Sequence, residues 1–159
     1  MFRERFRFDL QRFDYITNSS SNTLVSGTSI NDTIWNPSYL DTVTINAGAG
    51  DDSIKNYGDY VTISAGIGND TINNNCTDAL TPYDDEDGSY VLFKYSEGDG
   101  NDIIYGFKAN STLSITGSSY SSTTSGSNVI FTVGSGKITL VGASSLGSSL
   151  NLKFKSKNL

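Results

Sequence analysis

Three segments of this sequence repeat glycine and aspartate at one fixed spacing. Residues 47–54 read AGAGDDSI, residues 65–72 read AGIGNDTI and residues 97–104 read EGDGNDII. Each has glycine at its second and fourth places, aspartate at its sixth and isoleucine at its eighth. Because glycine tolerates positive φ, each segment predicts a tight turn that directs several carbonyl oxygens toward one point. A carboxylate beside those carbonyls completes a set of oxygen ligands of the kind that Ca²⁺ prefers.

The residues that precede each glycine turn show the pattern of a strand. Residues 43–45, 61–63 and 91–95 alternate in polarity and are rich in β-branched and aromatic types, which is typical of β-strands. The first two glycine segments begin 18 residues apart, and that length holds two strands and two turns. Stacked coils of this length place aspartates of successive turns on either side of a shared ion. Ordinary hairpin turns, which also favour Gly, Asn and Asp, are the competing interpretation.

Over roughly residues 27–107, the repeats resemble the G-G-x-G-x-D-x-U-x pattern of the RTX (repeat-in-toxin), hemolysin-type calcium-binding family. The resemblance implies an all-β fold: a right-handed parallel β-roll (β-solenoid) with a C-terminal β-hairpin cap. It also implies that each ion lies between two successive turns and takes carbonyl oxygens and an aspartate from both. One ion would bind Gly48, Gly50, Asp52, Ala65, Ile67 and Asp70. A second would bind Gly66, Gly68, Asp70, Glu97, Asp99 and Asp102.

The sequence departs from the family pattern at several places. The first place of the three repeats is Ala47, Ala65 and Glu97 rather than glycine, which keeps the carbonyl but reduces flexibility. The second and third repeats begin 32 residues apart, so the loop between them must bulge out. A decayed copy at residues 27–34 keeps its aspartate but lacks both turn glycines, and a third ion would lie there between Asp32 and Asp52. We therefore expect one to three calcium ions.

Three regions follow from these patterns. Residues 24–117 form the predicted calcium-binding roll, and its opposite side, with a turn at 56–59 and an acidic loop at 73–89, is expected to hold no EF-hand-type site. Residues 118–159 are predicted to cap the roll with strands at 129–133 and 137–141 and to end in a basic tail. Residues 1–23 are rich in Phe and Arg and are interpreted as a cap, a membrane-surface segment or a strand that pairs with a neighbouring subunit.

Composition excludes several classes of function. The net charge of −6 argues against nucleic-acid binding, and the sequence has no apolar run of about 20 residues that would span a membrane. A single cysteine, Cys76, permits no internal disulfide. Without any histidine the chain cannot activate that thiol or form a histidine-ligated zinc protease site, and it contains no G-x-S-x-G motif. We therefore expect that the protein is not an enzyme.

The family resemblance also implies a location and a role. Such proteins are typically exported from bacteria by type I secretion without a cleaved signal peptide, and they fold when they meet calcium outside the cell. We expect a secreted, extracellular or cell-surface protein with a structural or adhesive role at a surface or in a matrix. The alternative is a self-assembling subunit of a calcium-stabilised extracellular filament, since open roll ends can associate end to end.

Overall fold

The fold was obtained as a computed structural model that describes residues 14–75 and 88–157. These ranges contain only strands, turns and one short 3₁₀ helix at Ala143–Ser149. The strands are β1 (Asp14–Thr17), β2 (Leu24–Ser26), β3 (Asp32–Asn36), β4 (Thr44–Ala49), β5 (Ser53–Asn56), β6 (Thr62–Ile67), β7 (Thr71–Asn73), β8 (Leu92–Ser96), β9 (Asn101–Tyr105), β10 (Thr112–Gly117), β11 (Ser121–Ser125), β12 (Asn128–Val133), β13 (Gly136–Val141) and β14 (Asn151–Ser156).

From β1 to β10 the chain winds back and forth between two sheets, so successive strands alternate from one sheet to the other. Sheet A has the order β1-β3-β5-β7-β9-β13-β12-β11, and sheet B has the order β14-β10-β8-β6-β4-β2. All pairings are parallel except the two that join β11, β12 and β13. The predicted parallel β-roll with a C-terminal hairpin is therefore confirmed.

Strict register makes the core of the roll. In sheet B, Val25 pairs with Ile45 and Ile45 with Ile63, while Ile34 pairs with Ile54 in sheet A. These side chains point inward and are buried, together with Phe93, Ile104, Leu113 and Leu140. Alternation of the side chains places the intervening threonines, serines and lysines of each strand on the outer faces. The apolar columns fix the register, because a slip of one residue would turn them to solvent.

The C-terminal region closes the roll with antiparallel strands. The hairpin predicted at residues 129–141 is formed by β12 and β13, and β14 adds a last parallel strand beside β10. The strand β11 lies in the Ser/Thr-rich stretch, and all five of its residues are exposed. The predicted N-terminal segment before Asp14 and most of the acidic loop, including Cys76, lie outside the described residues. In the described ranges no helix is long and apolar enough to cross a membrane.

Candidate metal site on the glycine side of the roll

The turns that lead from sheet B to sheet A form one long side of the roll, which we call the glycine side. They follow β2, β4, β6 and β8 and contain the repeats identified in the sequence. Gly48, Gly50, Gly66 and Gly68 all have positive φ between 104° and 153°. The predicted tight turns are thus present, and they stack on one another along the roll.

The stacking is close enough that only glycine fits. A Cβ atom at Gly66 would overlap the carbonyl oxygen of Gly48, and one at Gly68 would overlap the carbonyl oxygen of Gly50. A Cβ atom at Gly100 would likewise overlap the carbonyl oxygen of Gly68. The carbonyl oxygens of these turns therefore point along the roll toward the next turn. This is the carbonyl arrangement that an ion between two turns requires.

A column of four buried aspartates, which we call the aspartate ladder, runs beside these carbonyls. The backbone N–H of Asp32 donates to Oδ1 of Asp52 at 2.8 Å, and that of Asp52 donates to Oδ1 of Asp70 at 2.7 Å. The N–H of Asp70 donates to Oδ1 of Asp102 at 3.1 Å. Each of these three hydrogen bonds uses only one oxygen of its carboxylate.

The second oxygens of two ladder carboxylates have no hydrogen-bond partner. Oδ2 of Asp52 and Oδ2 of Asp70 are buried and unpaired, and in the described part of the chain only Oγ of Ser111 shares that condition. A buried carboxylate oxygen without a donor costs free energy of about 1–3 kcal/mol or more. Two such atoms in neighbouring turns, both on the glycine side, mark a place where a cation would relieve the cost.

The electrostatics of the aspartate ladder agree with this geometry. Burial away from water raises the pKa of Asp52 to about 6 and that of Asp70 to about 7, although the backbone hydrogen bond that each accepts lowers the pKa. Burial likewise raises the pKa of Asp102 to about 8. The neighbouring ladder carboxylates raise all three pKa values further. Ionisation of the ladder is therefore disfavoured in the absence of a cation, because no protein group neutralises its charge, and a bound cation would favour the ionised form.

The available donors fit Ca²⁺ better than a transition metal. Every candidate ligand on the glycine side is a carboxylate or carbonyl oxygen, and hard cations take such ligands in flexible cages. Residues 14–75 and 88–157 contain no group of three or more His, Cys, Asp or Glu side chains that converge on one point. Backbone carbonyls must therefore supply most of the ligands of any ion held here.

The structure brings together the first predicted ligand set. Strand pairing aligns Gly48 with Gly66 and Ala49 with Ile67, so the turn of Gly48, Gly50 and Asp52 lies against the turn of Ala65, Ile67 and Asp70. The carbonyl of Ile67 also accepts a hydrogen bond from the N–H of Gly50 at 2.8 Å, and its second lone pair remains available. The six predicted residues are thus neighbours in two adjacent turns.

The third turn has a different shape, which bears on the second predicted set. Pairing of β6 with β8 aligns Ser64 with Lys94, an offset of 30, whereas the bridge beyond the turn aligns Gly68 with Gly100, an offset of 32. Two extra residues are therefore accommodated in this turn, and Gly98 has no atom near its Cα where a Cβ would lie. Gly100 and Asp102 stay in line with Gly68 and Asp70, but the turn before them is displaced.

The displaced part of the third turn makes contacts within the protein. The Glu97 carbonyl accepts a hydrogen bond from Lys157 Nζ at 2.9 Å, and the Glu97 carboxylate accepts two from Ser118. The Asp99 carboxylate accepts the N–H of Ser96 at 2.6 Å. Hydrogen bonds from Ser118 lower the pKa of Glu97, whereas burial raises that of Asp99. Glu97 is thus held by protein donors at its carbonyl and its carboxylate, whereas the Asp99 carbonyl accepts the N–H of Gly68 at 2.6 Å, as the Ile67 carbonyl does from Gly50.

The decayed first turn satisfies its own aspartate. Thr28, at a place where the intact repeats have glycine, donates its N–H to Oδ2 of Asp32 at 2.6 Å and brings its hydroxyl within 3.1 Å of both carboxylate oxygens. Asp32 therefore has donors where Asp52 and Asp70 have none. A third ion between Asp32 and Asp52 would compete with the Thr28 contacts.

The opposite side of the roll carries a second column of polar side chains that the sequence analysis did not identify. We call it the asparagine ladder. Asn18 Nδ2 donates to Oδ1 of Asn36 at 2.7 Å, Asn36 to Asn56 at 2.8 Å, and Asn56 to Asn74 at 2.9 Å. The second N–H of each amide bonds a nearby backbone carbonyl, for example Gly58 O from Asn56 at 3.0 Å. The sequence signal was the spacing of 18, 20 and 18 residues between the four asparagines.

Comparison with known proteins supports the fold and leaves the function open. No protein-family model and no curated protein sequence matches the chain. Among solved structures, the chain is similar to the extracellular lipase LipA from Serratia marcescens, with a TM-score of 0.60 and 22% identity. The match covers 76% of this chain but only 19% of the lipase chain. The similarity therefore concerns the β-roll architecture.

Proposed function

We propose that the protein is a secreted calcium-binding β-roll module of the RTX type, and that calcium completes its folding outside the cell. The observation that carries the proposal is the pair of buried, unpaired oxygens, Oδ2 of Asp52 and Oδ2 of Asp70, in adjacent glycine turns. The raised pKa values of the ladder aspartates and the aligned turn carbonyls support it. The similarity to an extracellular lipase supports the extracellular location.

Calcium would act here as a neutralising cross-link between turns. Asp52, with Gly48 and Gly50, would hold the ion from one turn, and Asp70, with Ala65 and Ile67, would hold it from the next. Asp70, Gly66, Gly68 and Asp102 would contribute to a second ion together with the Asp99 carbonyl, which accepts the N–H of Gly68. The Glu97 carbonyl could join only if its Lys157 contact were released. Without a cation, the stacked carboxylates repel one another and disfavour closure of the turns.

This chemistry couples folding to location. Free calcium is low inside a bacterial cell and near millimolar outside, in the range where extracellular calcium modules bind. Since an unfolded chain offers no assembled site, the binding free energy becomes folding free energy. Folding would therefore follow export, which is the sequence of events that type I secretion of an unfolded chain requires.

A structural or adhesive role is proposed for the folded module, with no enzymatic activity of its own. The sequence has no histidine, and the lipase similarity covers a fifth of that protein. Calcium-loaded protein should bind bacterial surfaces or extracellular polysaccharide and should release no product from ester substrates. Turnover of an ester substrate by the purified chain would contradict this part of the proposal.

Circular dichroism during a calcium titration tests the central proposal. The full chain, stripped of metal with a chelator, should gain β-sheet signal cooperatively as calcium rises, and magnesium at equal ionic strength should not replace calcium. The double variant Asp52→Asn with Asp70→Asn should lose the calcium response. A matched control is Asp59→Asn, because Asp59 lies on the asparagine side and its Oδ1 accepts the N–H of Ser89. An unchanged signal, or an equal loss in the control, would reject the proposal.

A further inference from the structure

The four carboxylates of the aspartate ladder are not equally satisfied. The two middle members, Asp52 and Asp70, each leave Oδ2 buried and unpaired. Asp32, the first member, is only 2% exposed, yet it receives hydrogen bonds from Thr28 in the turn that joins β2 to β3. We call this turn the threonine turn. The difference between Asp32 and its neighbours bears on which intervals of the ladder need a cation.

The threonine turn lies in the same register as the intact turn that follows it. The strand β2 pairs with β4 at an offset of 20 residues, and β3 pairs with β5 at the same offset. Thr28 therefore lies at the place of Gly48, and Ile30 lies at the place of Gly50. A Cβ atom at Gly48 would overlap the carbonyl oxygen of Thr28, so these two turns stack as closely as the intact turns do.

The Thr28 hydroxyl contacts the groups that would hold an ion in this turn. Its Oγ1 lies 3.1 Å from each carboxylate oxygen of Asp32 and 3.5 Å from the carbonyl oxygen of Ile30. A fourth-place carbonyl and a sixth-place aspartate are two of the ligands that an intact turn is expected to supply. The N–H of Ile30 donates to the same Oγ1 at 3.3 Å, which orients the hydroxyl toward the carboxylate.

Thr28 supplies hydrogen-bond donors where an intact turn has none. Its backbone N–H donates to Oδ2 of Asp32 at 2.6 Å, and its hydroxyl supplies a second donor. Hydrogen bonds to an ionised carboxylate are about twice as strong as those between neutral groups. Glycine, which lies at this place before Asp52 and before Asp70, has no side chain to donate. Asp32 can therefore be buried without a metal.

The C-terminal end of the aspartate ladder offers no further interval for an ion. Asp102 pairs with Ile138 in sheet A, so the next strand has no carboxylate in line with the ladder. The carbonyl of Gly100 accepts the Tyr95 hydroxyl at 2.7 Å and the N–H of Lys137 at 2.9 Å. These two donors use both lone pairs of the carbonyl oxygen.

We propose that the Thr28 side chain replaces calcium in the threonine turn, so that Asp32 takes no ion and the roll binds no more than two. This assignment deepens the calcium binding proposed above and rests on it. The two ions lie between Asp52 and Asp70 and between Asp70 and Asp102. The threonine turn is closed by hydrogen bonds at any calcium concentration, whereas the later turns depend on the ion.

The number of bound ions is the first test. Equilibrium dialysis and calorimetric titration of the full chain with calcium, up to millimolar concentration, should count no more than two ions per chain. Three ions bound to the wild type would overturn the proposal. No bound calcium would reject the proposed function, and the assignment of Thr28 would fall with it, so the two failures give different results.

The variant Thr28→Val tests the hydroxyl itself. It keeps the shape of the side chain and the backbone donor, and Thr28 is exposed, so the core is not disturbed. At calcium that saturates the wild type, the melting temperature should fall by about 3–12 °C, because a hydrogen bond to a charged group is lost. A further increase of about tenfold in calcium should restore about half of the loss or more, since an ion can then bind the freed carboxylate. The wild type should show no such rise.

Two control variants separate this role from that of an ordinary surface hydrogen bond. Thr28→Ser keeps the hydroxyl and should match the wild type in melting temperature and in calcium dependence. Thr44→Val removes the hydroxyl of an exposed residue at the start of β4 and should change neither. A loss in Thr28→Val that is the same at every calcium concentration, or no loss at all, would overturn the proposal.

Discussion

The glycine side and the asparagine side of the roll each carry a column of buried polar side chains, with about one residue per coil. On the asparagine side each amide both donates and accepts, so the column completes its own hydrogen bonds and those of the nearby carbonyls. On the glycine side an ionised carboxylate can only accept, and Oδ2 of Asp52 and of Asp70 stays unpaired. The same strand register thus gives an asparagine side whose amides complete their hydrogen bonds and a glycine side whose carboxylates need a cation.

Turn geometry differs between the two sides in a way that agrees with this contrast. The asparagine side tolerates side chains at positive φ, since Thr42, Tyr60 and Tyr90 all have φ near 55–58°, and the rings of the two tyrosines stack at 4.9 Å. The glycine side has no room for a Cβ where turns stack. Some glycines of the asparagine side are crowded as well, since a Cβ at Gly58 would overlap the carbonyl oxygen of Leu40. The contrast therefore lies in the positive-φ positions, which hold side chains on the asparagine side and glycine where turns stack on the other.

The largest effect should come from placing an aspartate in the asparagine ladder. The change Asn56→Asp removes the donors to Gly58 O and to Oδ1 of Asn74 and buries a charge. We expect a loss of about 3 kcal/mol or more in the free energy of unfolding, measured by urea denaturation at saturating calcium. Asn46→Asp, on the exposed face of β4, should cost little. Rescue of the ladder variant by calcium would show that the two sides are interchangeable.

A substitution at a stacked glycine should have the next largest effect. Gly66→Ala adds a Cβ that meets the Gly48 carbonyl and also strains a φ of 104°. Gly98→Ala strains a similar φ of 106° but meets no neighbouring atom. Strain alone should cost about 1–3 kcal/mol, and the clash should add about 1–3 kcal/mol more. Thermal unfolding of both variants at saturating calcium measures the difference, and equal losses would contradict close stacking.

Conversion of a ladder aspartate to asparagine should replace a buried carboxylate on the glycine side with an uncharged amide, as in the asparagine ladder. Asp70→Asn keeps the acceptor for the N–H of Asp52 and removes the charge, so the metal-free protein should become more stable. Calcium affinity should fall about tenfold or more, because affinity depends on the number of ligand charges. The effect should exceed those of Asp52→Asn and Asp102→Asn, since Asp70 would contribute to both ions. Equal calcium midpoints for the three variants in calorimetric titrations would refute a shared ligand.

The smallest predicted effect is a dependence on pH that is confined to the glycine side. The pKa values of Asp52, Asp70 and Asp102 are raised to about 6, 7 and 8, so their contribution to stability in the metal-free protein is present below about pH 4 and lost as pH rises through 6–8. The metal-free protein should therefore melt lower at pH 8 than at pH 5. Calcium affinity should change in the opposite direction and rise about tenfold or more as pH increases from 5 to 8, because bound carboxylates must be ionised.

Melting temperatures with calcium and with chelator at pH 5 and pH 8 measure both trends. The double variant Asp52→Asn with Asp70→Asn should show a weaker pH dependence, since two of the three titrating groups are gone. A metal-free protein that became more stable from pH 5 to pH 8 would contradict the assignment of an uncompensated charge to the aspartate ladder.

The sequence predicted the glycine side well because its residues are restricted by backbone geometry. Gly48 and Gly66 take a positive φ, and Ile45 and Ile63 point into the core. Few other residue types fit these positions, so the pattern is recognisable in the sequence. The asparagine ladder was missed because asparagine is common in turns for local reasons, so only its spacing distinguishes Asn36 and Asn56 from ordinary turn residues.

Two further features were hidden from sequence for physical reasons. The spacing of the third repeat shows that extra residues exist, but only the pairing of β6 with β8 shows that two of them lie in the glycine turn. The strand β11 has no apolar alternation, and all five of its residues are exposed. Hydrophobic periodicity reports burial, and an exposed strand at the end of a roll gives no such signal.

The most direct test of the central claim is a crystal structure of the full chain grown in calcium, with anomalous scattering used to locate the ions. We expect calcium on the glycine side between the turns of Asp52 and Asp70, with a carboxylate oxygen of each as a ligand, and none on the asparagine side. Glycine turns without calcium at millimolar concentration, or ions bound only elsewhere, would contradict it.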